Sequence, residues 1–144
     1  MLMNQTKFLT AVVALLLALA PGSPTFAADS TPPAAETKHV LKSVKPEQAQ
    51  KLISDKKVIV LDVRTPEEFA SGHIAGSTNI DFKAADFSDR IAKLDKSQAY
   101  LVHCASGIRS AKACAAMEQL DFLTVYDLKG GIAAWKDAGL PVEK

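Results

Sequence analysis

The chain has 144 residues, 48% of them hydrophobic and 23% charged, with 17 basic side chains against 16 acidic ones. That length sets one ordinary domain with a core that needs no disulfide staples. Near-neutral charge excludes a general nucleic-acid binder and a protein held to anionic membranes by its surface charge.

Lys7 precedes an apolar run from Phe8 to Ala20, which is followed by Pro21, Gly22, Pro24 and the small-x-small pattern Thr25-Phe26-Ala27. A basic start, a short apolar middle and small residues at the cut mark residues 1–27 as a secretory signal peptide cleaved after Ala27. The run of about 13 residues falls short of the ~20 that span a bilayer. The expectation is therefore export to the periplasm, with secretion as the alternative, and no stable membrane insertion after cleavage. The mature part, about 117 residues, carries 16 basic and 16 acidic side chains.

Residues 28–37, rich in Pro, Ala, Ser and Thr, read as a flexible leader, and residues 38–144 as the domain. "HVLKSV" (39–44) is a short strand. Pro46 opens the helix "PEQAQKLISD", with Ala49, Leu52 and Ile53 on one side. "KVIVLDV" (57–63) is a β-branched run suited to a strand buried on both faces. Thr65, Pro66 and Glu68 make a capping box that starts a short helix before Gly72. "STNID" (77–81) is a brief strand and "DFSDRIAKL" (86–94) a helix with Phe87, Ile91 and Leu94 in register. "AYLVH" (99–103) is another buried strand, "SAKACAAMEQL" (110–120) an alanine-rich helix and "LTVYDL" (123–128) the fifth strand. Gly130-Gly131 turn the chain into the helix "IAAWKDAG" (132–139), closed by Gly139 and Pro141. Strands alternating with helices predict an α/β fold, a parallel sheet with helices on both faces.

Ligands of such sheets bind where strands end and helices begin, and Cys104 sits at such a place. The segment Cys104-Ala105-Ser106-Gly107-Ile108-Arg109 must turn back on itself. Small residues and Gly107 allow a compact loop that aims N–H groups inward as an anion nest. A helix starting near Arg109–Ser110 adds its positive end. A sulfur held there is stabilised as an anion, which suits a nucleophilic thiolate or a persulfide. Arg109 is placed to hold an anionic substrate through fork-like hydrogen bonds.

Cys104 and Cys114 lie ten residues apart across a helix, which puts their Cα atoms about 12–15 Å apart, beyond the ~7 Å limit of a disulfide. Two free thiols are expected, with Cys114 packed against the sheet. His103, next to Cys104 on a strand, should point to the opposite face. His39 and His73 are too scattered to form a metal site with Cys104.

Three segments carry a resemblance. "LDVRTPEEFASGHIAGSTNI" (Leu61–Ile80), "HCASGIRSAKA" (His103–Ala113) and "VYDLKGGIAAWKDAGLPV" (Val125–Val142) resemble, in order and spacing, the single-domain rhodanese-like sulfurtransferase family over roughly residues 38–143. The resemblance implies a rhodanese-like three-layer fold with a central five-stranded parallel sheet flanked by helices. It implies a sulfurtransferase that moves sulfane sulfur from thiosulfate or a similar donor to a small acceptor such as cyanide, or to a protein thiol. Cys104 is then the persulfide-forming nucleophile, and Ala105, Ser106, Gly107, Ile108, Arg109 and Ser110 are the substrate-binding cradle. No metal, cofactor or nucleic acid enters. Asp62, Arg64, Glu68 and His73 match family positions and read as organisers near the pocket, Asp62 and Arg64 as a charge pair. Asp121 stands where the family often ends the helix with glycine.

The architecture also resembles dual-specificity phosphatases, whose signature places five residues between Cys and Arg. Here four, Ala105 to Ile108, separate Cys104 from Arg109. The shorter loop makes a smaller cradle, better matched to sulfur than to a phosphoryl or arsenate group. The family resemblance is also compatible with a non-catalytic binding module, and with a persulfide carrier that serves a protein thiol.

Overall fold

A computed structural model describes residues 38–144. The signal-peptide reading of residues 1–27 and the leader reading of residues 28–37 lie outside the described residues. The elements are β1 (Val40–Val44), α1 (Pro46–Ser54), β2 (Ile59–Asp62), α2 (Pro66–Ala70), β3 (Thr78–Asn79), α3 (Phe87–Ala92), β4 (Ala99–His103), α4 (Ile108–Gln119), β5 (Thr124–Leu128) and α5 (Gly131–Asp137). The five strands form one sheet in the order β1-β5-β4-β2-β3, and every pairing is parallel. The α/β fold with a five-stranded parallel sheet is thus the one expected.

Why the strands read as almost unbroken apolar runs is plain from the two cores they feed. Side chains alternate across a sheet. Leu61, Tyr100, Val102 and Val125 go to one core with Phe87, Ile91, Ala113, Cys114 and Met117 from α3 and α4. Val60, Leu101 and Leu128 go to the other, with Ala49 from α1 and Ile132 and Trp135 from α5. Burial on both faces produces such runs, as in other parallel sheets. The alternation also sends His103 to the face of Leu101 and Cys104 to the face of Val102, as the strand period requires.

Local chemistry sets the helix ends. Thr65 Oγ1 accepts from the Glu68 N–H while the Thr65 N–H donates to Glu68 Oε2, the reciprocal box read from the sequence. α4 starts at Ile108, one residue before the expected place, because Gly107 caps it in the left-handed region at φ +99°. β3 shrinks to Thr78–Asn79, and α3 ends at Ala92 rather than Leu94. At the far end of α4, the Asp121 N–H donates to the Glu118 carbonyl and the Phe122 N–H to that of Met117. This is a Schellman closure, and it forces Asp121 to φ +64°.

An L-residue in that region costs about 1–2 kcal/mol, of which glycine returns part to unfolded-chain entropy. Asp121→Gly is therefore expected to stabilise the domain by roughly 0.5–1 kcal/mol in urea unfolding. A neutral or destabilising result would show that the aspartate side chain compensates its backbone.

Candidate active site

β4 is the central strand, and Cys104 follows its last residue at the carboxyl end of the sheet. The loop after it is pinned from behind by the start of α5. The Ile132 N–H donates to the Cys104 carbonyl at 2.8 Å and the Ala133 N–H to that of Ala105 at 3.1 Å. These bonds use the first donors of α5, which have no partner within their own helix, and they fix the direction of the loop's carbonyls. Gly131, at φ +60°, permits the approach; a Cβ there would collide with the Cys104 carbonyl oxygen and the Ala105 backbone. The "Gly-Gly" of the fifth strand's turn is thus part of the cysteine loop's support.

The Gly107 N–H donates to Cys104 Sγ at 3.1 Å, and the Ser110 hydroxyl oxygen lies 3.7 Å from the same sulfur. Burial pushes the Cys104 thiol up. The backbone N–H and the hydroxyl of Ser110, with the N–H groups of Gly107 and Ser106, outweigh it and leave the thiol below its ordinary value. Converging amides at a helix N-terminus favour the thiolate over the thiol. Cys104 is only 1% exposed, so its sulfur is largely shielded from water. Ile108, by contrast, is 69% exposed beside it. Its side chain is at the rim, and its part in the cradle is that of the first helical residue.

Arg109 differs from expectation. Its two terminal nitrogens donate to the two Glu68 carboxylate oxygens, each at 2.8 Å. The fork expected to grip an anionic substrate grips the protein's own carboxylate and ties the loop to α2. The Arg109 hydrogen bonds, the Thr65 N–H and the nearby Arg64 hold the Glu68 carboxyl down at about 2, against a smaller opposing effect of burial. Glu68 thus closes the α2 capping box and anchors the cysteine loop at once.

Asp62 and Arg64 form the expected pair, both buried: Arg64 Nη2 meets Asp62 Oδ2 at 2.6 Å and the Gly72 carbonyl oxygen at 2.8 Å. Asn79 donates to the carbonyls of Asp62 and Arg64, joining β3 to this knot. His73 stacks on Phe69 at 3.8 Å, and its backbone bridges to Glu143. All four family-matched organisers therefore brace the segment that faces the loop. Buried His103 lies 3.6 Å from Asp62 on the far face of the sheet, and burial holds its imidazole below the ordinary value. It faces away from the sulfur. Cys104 and Cys114 are both free. Cys114 is packed among Ala113 and Met117, and burial pushes its thiol far up.

One side chain escapes a reading of the sequence. Asp127, near the end of β5, accepts a 2.6 Å hydrogen bond from the Ser110 hydroxyl. Strand alternation is the available signal: Asp127 shares the face of Val125, and that face meets α4.

The Glu68 pair has a pH signature. Its folded value lies below the ordinary carboxyl 4.5, so ionised Glu68 stabilises the fold above that range and the contribution is lost as pH falls through about 2. Urea unfolding is expected to show the wild type losing more stability than Glu68→Gln between those limits. Parallel curves would mean that the pair contributes nothing to the fold.

Known proteins resemble this chain in sequence and in fold. The model of the rhodanese-like domain family matches residues 45–138. A sulfurtransferase of Allochromatium vinosum is 34% identical over 94 residues, 65% of this chain and 86% of that protein. The thiosulfate sulfurtransferase GlpE of Ectopseudomonas mendocina is 38% identical over 95 residues, 66% of this chain and 84% of that protein. The crystal structure of a rhodanese-related protein from Thermoplasma volcanium is 36% identical. It superposes with a TM-score of 0.65, covering 71% of this chain and 97% of that one.

Proposed function

The chain belongs to the rhodanese-like domain family, and from that premise we propose that it is a sulfurtransferase acting through a Cys104 persulfide. The observation that carries the reading is the Gly107 N–H on the Cys104 sulfur, which with the N–H groups of Ser110 and Ser106 and the Ser110 hydroxyl lowers the thiol against its burial.

The Cys104 thiolate attacks the outer sulfur of thiosulfate. The new Sγ–S bond forms as the S–S bond of thiosulfate breaks, and sulfite leaves with the electron pair. The persulfide keeps one negative charge, which the same N–H groups stabilise. A nucleophile such as cyanide then takes the terminal sulfur, giving thiocyanate and returning the thiolate. Both steps balance in atoms and charge. A protein thiol can stand in for cyanide as acceptor. Arg109, paired with Glu68, contributes by fixing the loop and by its field.

Sulfur is favoured over phosphate by the enclosure. Four residues between Cys104 and Arg109, and a cysteine 1% exposed, suit a reactant that presents one slim sulfur atom. The signal pattern of residues 1–27 supports an exported, periplasmic enzyme.

Incubation with thiosulfate is expected to add about 32 Da, one sulfur atom, to a peptide containing Cys104, and cyanide should remove it. Cys104→Ser should abolish both the mass gain and thiocyanate formation, whereas Cys114→Ala should retain most turnover. Turnover by the Cys104→Ser protein would remove the persulfide from the reaction.

A further inference from the structure

Ser110 is the only side-chain hydroxyl within hydrogen-bond reach of the Cys104 sulfur among the described residues. Its one hydrogen has two acceptors, the Gly107 carbonyl oxygen at 3.2 Å and Asp127 Oδ1 at 2.6 Å, while its oxygen accepts from the Cys104 thiol at 3.7 Å. The carboxylate gives the shortest and charge-assisted bond. With the hydrogen on that side, the Ser110 oxygen presents lone pairs to the sulfur and can only accept the S–H of a neutral thiol. A thiolate needs the reverse arrangement, with Ser110 donating to sulfur.

We propose that Asp127 is a positioning residue that takes the Cys104 proton through Ser110. The Cys104 S–H bond breaks as an O–H bond to Ser110 forms. The hydrogen already on Ser110 passes to Asp127 Oδ1, and the negative charge moves from carboxylate to sulfur. No oxidant, reductant or co-reactant takes part. Asp127 also lines a cavity of about 210 Å³ with Leu41, Ser43, Ala111 and Cys114. Leu41, Ser43 and Ala111 are exposed, so the proton reaches water through this cavity. Burial raises the Asp127 carboxyl, partly offset by the Ser110 bond, which makes it a better proton acceptor than an ordinary aspartate. The inference rests on the reading of Cys104 as the nucleophile.

The other titratable groups around the pair are few. Cys114, from α4, feels both Asp127 and Cys104. Arg109 feels Cys104 but is paired with Glu68, with Asp81 also acting on it. β1 brings only Leu41 and Ser43 to the cavity.

Linked through Ser110, Asp127 and Cys104 are expected to lose their protons in two macroscopic steps that belong to the pair. The first leaves one charge shared between Asp127 and Cys104; the second leaves both ionised. In a Cys114→Ala background, the rate of Cys104 alkylation by iodoacetamide is therefore expected to rise in two steps with pH. Asp127→Asn should leave one step. On the lower step, Ser110→Ala should alkylate about tenfold more slowly, the loss that one pK unit of linkage through the hydroxyl corresponds to. Asp127→Asn should have no further effect in the Ser110→Ala protein, because the two act in series. A single step in the parent protein, superimposable on that of Asp127→Asn, would overturn the relay. So would an Asp127→Asn shift that persists at full size without Ser110, since that would be through-space charge. Should Asp127→Asn fail to fold, Ser110→Ala decides alone, and survival of the lower step there refutes the relay. Mass spectrometry after thiosulfate on the same parent protein separates the two ideas. Two-step alkylation without sulfur uptake would defeat the sulfurtransferase reading and leave the relay, and uptake with one-step alkylation would do the opposite.

Discussion

A sulfur atom is buried at the end of the central strand, and backbone amides with the Ser110 hydroxyl, rather than water, favour its charged form. Burial alone would make Cys104 an inert thiol, as it does Cys114. The two cysteines share one hydrophobic core, and they differ in what faces the sulfur. Near Cys114 stand the Asp127 carboxylate and the Cys104 sulfur, which push its thiol further up. Around Cys104 there are N–H groups from Ser106, Gly107 and Ser110. A short loop entering a helix supplies those donors without any charged side chain, because the first amides of a helix have no partner of their own.

Much of the remaining structure keeps that loop in place. From one side the first amides of α5 hold its carbonyls, with Gly131 allowing the contact. From the other side Glu68 holds Arg109. Glu68 is itself fixed by the Thr65 cap, and α2 is carried on the segment braced by Asp62, Arg64 and Asn79. The charges between Asp62 and Glu68 thus act on the chemistry at second hand, by deciding where the cysteine loop can sit. Such arrangement in advance is worth most where charge must be stabilised without solvent reorganisation.

The alternation of elements, the parallel sheet, the Thr65 cap and the position of Cys104 were legible in the sequence because each depends on short-range pattern: β-branched runs, a capping box, a glycine-rich turn before an alanine-rich helix. His103 was placed on the correct face by strand period alone. The partner of Arg109 was not legible, since Glu68 lies 41 residues away and its local role as a capping-box acid already accounts for it. Asp127 was within reach of the same period-two reasoning that placed His103, but at a strand end an aspartate reads as the start of a turn. The start of α4 moved to Ile108 because the left-handed Gly107 acts as the cap, a backbone state that sequence marks only as freedom.

The amide ring's hold on the sulfur charge is tested most directly by titrating the Cys104 thiol, following thiolate absorbance against pH in the folded Cys114→Ala protein. The structure predicts that half of the thiolate absorbance is reached at a lower pH than in a free cysteine. A midpoint at or above that of a free cysteine would mean that burial, and not the ring of N–H groups, governs this sulfur.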